Sequence, residues 1–138
     1  MPTLHLMCGY IGSGKTTFAK QLESKLSAVR FSTDEWISEL YGSNPPEESF
    51  GEFEQRVRTL SRTYWTKLLK LGIDVILDEG FWSRRRRDEI REYAASLGSA
   101  CKLYYFDTPE HVMYERCMNR NRDLGGNLYI DSNTFYNL

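Results

Sequence analysis

The run Leu4-His5-Leu6-Met7-Cys8, followed without interruption by Gly9-Tyr10-Ile11-Gly12-Ser13-Gly14-Lys15-Thr16, decides the fold. A short apolar stretch closed by glycine reads as a buried strand, and the residues after the loop read as a helix from Lys15 to about Leu26. Phe18, Ala19, Leu22 and Leu26 fall on one face of that helix. The segment from Gly9 to Thr16 matches the pattern G-x-x-x-x-G-K-[ST] at every fixed position, and it joins a strand to a helix, the context the pattern requires. Backbone N–H groups from Gly12 to Thr16 can wrap a phosphate only where side chains are small or absent. The helix that follows turns its positive dipole end toward the same anion. Lys15 is then placed to reach the β and γ phosphates of a nucleotide and Thr16 to ligate Mg²⁺. Gly9, Gly12, Ser13, Gly14 and Thr17 complete the cradle.

Outward from this loop, apolar runs alternate with helical periodicity. Val29 to Ser32 reads as a strand and Glu35 to Tyr41 as a short helix before Asn44-Pro45-Pro46 breaks the chain. Phe53, Val57, Leu60, Tyr64, Leu68 and Leu71 recur at helical steps until Gly72. Ile73 to Leu77 is a third strand and delivers Asp78-Glu79-Gly80 at its carboxyl end. A helix from Ser83 to Leu97, a strand from Lys102 to Phe106 and a helix from Pro109 to about Asn119 follow. Asp123-Leu124-Gly125-Gly126 reads as a loop and Asp131 to Leu138 as the start of another helix. Such alternation implies parallel pairing through right-handed crossovers, hence an α/β domain with helices on both faces of a small sheet.

At 138 residues the chain has room for one domain, spanning 1–138. Eighteen basic residues against 19 acidic ones leave a net charge of −1, so no global field gathers nucleic acid or an acidic membrane, and any anion site must be local. No apolar stretch approaches the ~20 residues of a membrane span. The opening residues lack the basic segment of a signal peptide, and the expectation is a cytoplasmic protein. Cys8, Cys101 and Cys117 form no C-x-x-C pair, which favours thiols over a disulfide or zinc framework.

Three groups of residues carry the remaining chemistry. Asp78, at a strand end beside a complete phosphate loop, is placed to hold the magnesium shell, and Glu79 next to it is the residue that would polarise water in a hydrolase. Asp34 is either a helix N-cap or, because ligands collect beyond the carboxyl ends of strands, the base that accepts a hydroxyl proton. Arg116, Arg120 and Arg122 end the last helix and enter the glycine loop, so they read either as a solvated basic end or as a lid that stabilises charge on a transferring phosphoryl group. The run Arg84-Arg85-Arg86-Arg87 opposes the dipole of its helix and reads either as a solvated face softened by Asp88 and Glu89 or as a local site for an acceptor or phosphate, with Arg84 and Arg87 on one face as its candidates. Trp36, Tyr41 and Trp82 are candidate stacking platforms, with core packing as the plainer reading.

With these residues in place, the sequence resembles the small P-loop kinase family that includes the kinase domain of phage-type polynucleotide kinase, chloramphenicol phosphotransferase and zeta-toxin-like enzymes. The resemblance rests on residues 9–16, on Ser32-Thr33-Asp34, on Leu77-Asp78-Glu79-Gly80-Phe81-Trp82 with its arginines, and on Glu115-Arg116 to Arg120. It implies a P-loop NTPase fold, with Asp34 as general base, Asp78 as acceptor or magnesium-shell ligand, and Arg120 as the lid arginine. The expectation is a parallel sheet of order 2-3-1-4 with a short lid over about 116–130, and ATP with Mg²⁺ as cofactors. The favoured activity is transfer of the γ-phosphate to a hydroxyl of a small molecule or nucleotide. A polynucleotide 5′-hydroxyl kinase, an ATPase using Glu79, and a nucleotide-binding module without turnover are the alternatives.

Overall fold

The computed structural model describes residues 1–9, 13–81, 83–106 and 109–120. The elements run β1 (Thr3–Cys8), α1 (Lys15–Leu26), β2 (Val29–Phe31), α2 (Thr33–Tyr41), α3 (Glu47–Lys70), β3 (Val75–Leu77), α4 (Arg84–Ser96), β4 (Ala100–Tyr105) and α5 (Glu110–Arg120). The strands form one sheet of order β2-β3-β1-β4, and every pairing is parallel. This is the P-loop NTPase topology expected from the sequence. The helix expected over 131–138 and the glycine loop at 123–126 lie outside the described residues.

Strand alternation splits the core in two. Leu4 and Leu6 of β1, with Val75 and Leu77 of β3, face a cluster built by Trp65 and Leu69 of α3, Ile90 and Ala94 of α4, and Phe81. Met7 and Ile76 point to the opposite face and meet Ala19, Phe18 and Leu22 of α1. The central strands are therefore apolar on both sides, as a parallel sheet with two helical layers requires. A satellite cluster of Ile37 and Val57 ties α2 to α3. Trp36 packs against Phe31 there, and Tyr41 stacks on Phe53 with ring centroids 3.7 Å apart. Both aromatics are used in packing.

Several boundaries differ from the sequence reading for local reasons. The α2 helix starts at Thr33, because the Ser32 hydroxyl accepts the Glu35 N–H at 3.3 Å and caps it. The α3 helix starts at Glu47 directly after Pro46, with Glu47 and Glu48 at its positive end. The third strand begins only at Val75, since the Asp74 carboxylate turns aside to accept the Thr3 N–H at 2.9 Å and to meet His5 Nε2 at 3.1 Å. The β4 strand starts earlier, at Ala100, because all of β1 from Thr3 to Cys8 pairs with it.

Candidate active site

The carboxyl ends of β1, β2 and β3 converge on one edge of the sheet. At the end of β1, Gly9 is required by space: a Cβ there would lie 2.6 Å from Ser13 Oγ and 3.0 Å from Phe106 Cβ. Gly14 takes φ of 97°, in the left-handed region, and from that turn α1 departs. Lys15, the first residue of α1, is buried at 8% exposure, which is unusual for lysine. Ser13 is also buried, and Thr17 is exposed. Gly12 lies outside the described residues.

Asp78 leaves β3 with its N–H bonded to the Phe31 carbonyl at 2.9 Å, and its side chain is 1% exposed. One carboxylate oxygen accepts the Thr16 hydroxyl at 3.3 Å, which brings the two expected magnesium-shell residues together. The other accepts from Arg30 at 2.8 Å. Arg30 also pairs with Glu35. Burial opposes charge on both of these groups, yet their mutual bonding prevails: the Arg30 guanidinium is held above its usual pKa and the Glu35 carboxyl below its own. Sequence reading overlooked Arg30. Its signal was a charged residue between Val29 and Phe31 in a strand, where burial demands a partner.

Asp34 lies in the first turn of α2, while Ser32 performs the capping that was the alternative role for Asp34. Asp34 is exposed at the surface, with enough protein around its carboxyl to desolvate it in part. That surrounding protein raises the carboxyl above its usual pKa; Lys15 pulls it down, and Glu79, Glu54 and Asp78 push it further up. Lys15 and Asp34 are thus within electrostatic reach of one another.

The arginine run divides. Arg84 is 88% exposed and only meets Asp88 at 3.8 Å, whereas Arg87 donates to the Phe81 carbonyl at 2.5 Å. Arg86 and Arg87 are both half-buried, and Arg86 donates to both oxygens of Glu79 at 2.9 and 3.3 Å. Glu79 also lies 3.5 Å from Arg58. Opposite, Arg116 of α5 reaches the phosphate loop, with its NH1 3.6 Å from where a Cβ on Gly14 would stand. Arg122, Trp82, lid residues 121–130 and the side chain of Arg120 lie outside the described residues.

The donor set fits magnesium. Thr16 and Asp78 offer few protein oxygens, and among the described residues no group of three His, Cys, Asp or Glu side chains is gathered for a metal. A cation that keeps most of its waters and borrows substrate phosphate oxygens is the kind such a pair accommodates. Among the described residues no helix is long and apolar enough to cross a membrane.

A family model described as an AAA domain matches residues 4–134. No curated protein matches the chain. Among solved structures, a chain of the Pnkp1/Rnl/Hen1 RNA repair complex superposes with a TM-score of 0.80 at 24% identity, over 98% of this chain and 42% of that one. This protein thus spans less than half the length of that RNA-repair chain. A gluconokinase from Sinorhizobium meliloti 1021 gives 0.61 at 18% identity, over 99% and 72% of the two chains. The Mycobacterium tuberculosis APS kinase CysC, in complex with AMPPNP and APS, gives 0.60 at 21% identity, over 88% and 69%.

Proposed function

The chain belongs to this AAA-domain family, and from that premise we propose that it is a small P-loop kinase that transfers the γ-phosphate of ATP to an alcohol. The observation that carries the reading is Asp34: the cap of its helix is Ser32, which leaves its carboxyl free of that duty at the carboxyl end of β2, within electrostatic reach of Lys15. A carboxyl with a raised pKa is a better proton acceptor than an ordinary aspartate near neutral pH. Asp34 takes the proton of the acceptor hydroxyl as that oxygen bonds to the γ-phosphorus. The bond from phosphorus to the β–γ bridging oxygen breaks, and ADP leaves with the electron pair. Lys15 and the N–H groups at the start of α1 hold the phosphates, and Arg116 lies against the same loop. Magnesium, when bound, neutralises charge on the phosphate oxygens; Thr16 and Asp78 would hold it, with Arg30 fixing the orientation of Asp78. Glu79 is occupied by Arg86 and Arg58, which favours an alcohol over water as acceptor.

The test is label transfer from γ-labelled ATP to a panel of alcohols. Asp34→Asn should lower transfer by roughly 10²–10⁴-fold with nucleotide binding retained. Transfer that survives this change, but not Lys15→Met, refutes the assignment of the base. A second reading, a 5′-hydroxyl end of nucleic acid as acceptor, is favoured by the likeness to the RNA repair complex. A 5′-hydroxyl oligonucleotide in the same panel decides between them.

A further inference from the structure

Ser32-Thr33-Asp34-Glu35 carries the letters of a capping box, with serine at the cap of α2 and glutamate three residues later. In that device the glutamate carboxylate reaches back to the backbone at the cap of its own helix. Here the Ser32 hydroxyl accepts the Glu35 N–H at 3.3 Å, and the Glu35 carboxylate turns to the Arg30 guanidinium of β2. The nitrogen that meets Glu35, Arg30 Nη1, is also the one that donates to Asp78 Oδ2 at 2.8 Å. Asp78 Oδ1 in turn accepts the Thr16 hydroxyl at 3.3 Å. Thr16, Asp78, Arg30 and Glu35 therefore form one chain of contacts that begins in the phosphate loop and ends on α2, one residue from Asp34. The centre of the chain is held firmly. The Arg30 side chain is mostly buried, and its backbone N–H donates to Glu23 Oε2 of α1 at 2.7 Å.

A buried cation divided between two carboxylates neutralises neither in full. The Asp78 side chain is 1% exposed, so water does little to screen it, and the charge it can offer beside Thr16 depends on how much of the guanidinium Glu35 takes. We propose that Glu35 is a positioning residue for magnesium: by drawing on Arg30 it keeps Asp78 out of a full ion pair and leaves that carboxylate strong enough to hold the cation beside Thr16. The inference rests on the reading that Thr16 and Asp78 hold magnesium, and deepens it. Glu35 is the member of the chain that solvent reaches most easily among the charged three, and exposed Lys20 of α1 adds a pull of its own on it. Arg30 is the stronger partner because its contact is direct and partly desolvated. Since α2 also carries Asp34, one helix sets both the base and, through Arg30, the carboxylate for the metal.

Glutamine is the informative substitution, since it serves a capping box as glutamate does and removes only the charge. The measurement is the factor by which Mg²⁺ tightens a fluorescent ATP analogue on the full chain, from titrations in saturating Mg²⁺ and in EDTA. Taking the ratio cancels any general change in nucleotide binding. Glu35→Gln should reduce that factor roughly 3- to 30-fold. In an Arg30→Met background the same substitution should change it by less than about twofold, because the residue through which Glu35 acts is gone. Circular dichroism at the titration temperature checks that each variant is folded, and Glu35→Gln alone keeps the proposal open to refutation should Arg30→Met not fold. A factor that Glu35→Gln leaves intact overturns the proposal. So does an equal loss with and without Arg30, which would make Glu35 a distant charge acting through space. No tightening by Mg²⁺ in the wild type fails the site at Thr16 and Asp78 and this inference with it, whereas tightening that is indifferent to Glu35 fails the inference alone.

Discussion

Replacing Arg30 by methionine keeps most of the side-chain volume and removes only the charge and its donors, so it isolates what the ion-pair network contributes. Asp78 is 1% exposed on its side chain and Arg30 12%, so the variant strands a carboxylate that water cannot reach. Breaking a fully buried pair costs roughly 3–5 kcal/mol. Glu35, 29% exposed, recovers solvation when released, which brings the expected loss to ~2–4 kcal/mol. For 138 residues, an unfolding entropy of ~2.1 cal/mol/K per residue converts each kcal/mol into about 3–4 °C, so the melting temperature should fall by about 7–14 °C. Thermal unfolding followed by circular dichroism measures it. In an Asp78→Asn background no charge is left to strand at that position, and the same substitution should cost about half as much. The pH dependence has a definite sign. The folded pKa of Glu35 is depressed, so its share of the stabilisation is present above its ordinary value of 4.5 and is lost as pH falls through the lower folded value. The gap between wild type and Arg30→Met should therefore narrow in acid. A loss below about 1 kcal/mol, or an equal loss with and without Asp78, would refute the reasoning.

Lys15→Met should weaken nucleotide binding by roughly 10- to 100-fold, as loss of a charge-assisted contact to phosphate predicts, and a fluorescent nucleotide titration reads this directly. Gly9→Ala forces a methyl group to within 2.6 Å of Ser13 Oγ and 3.0 Å of Phe106 Cβ; the expected destabilisation is about 1–3 kcal/mol, seen in denaturant unfolding. Asp34→Asn should raise stability at neutral pH while lowering transfer. Because the folded pKa of Asp34 lies above its ordinary 3.8, the wild type loses stability as pH rises through the window between the two, and the asparagine variant does not. Melting curves at pH 3 and pH 7.5 would show the two proteins alike in acid and the variant higher at neutral pH; a lower melt at neutral pH would contradict the environment described for Asp34.

The phosphate loop with its flanking strand and helix is legible in the amino-acid sequence because its determinants are local, whereas the order of the sheet, which joins distant strands, was expected alongside the family resemblance. A residue that must adopt positive φ, a helix that must start beyond it and a strand apolar on both faces leave traces in neighbouring letters, and Gly14, Lys15–Leu26 and Leu4–Cys8 all do so. The competition between two roles for Asp34 is also local, but both readings used the same letters. The structure shows that the cap of α2 is the Ser32 hydroxyl, bonded to the Glu35 N–H.

What tertiary structure alone decided is which charges meet. Arg30 and Asp78 are 48 positions apart, and Arg62 and Glu89 are 27 apart; nothing in either neighbourhood announces its partner. Four consecutive arginines are indistinguishable by type, yet the helical rotation that begins at the Ser83 cap sends Arg84 to water, Arg86 to Glu79 and Arg87 to the Phe81 carbonyl. Backbone conformation is specified by short stretches of chain, whereas the pairing of side chains depends on where the sheet brings distant strand ends and helices together. The sequence therefore determined the glycine loop that opens α1, and the packing of α3 and α4 against β2 and β3 decided which charges meet beside it.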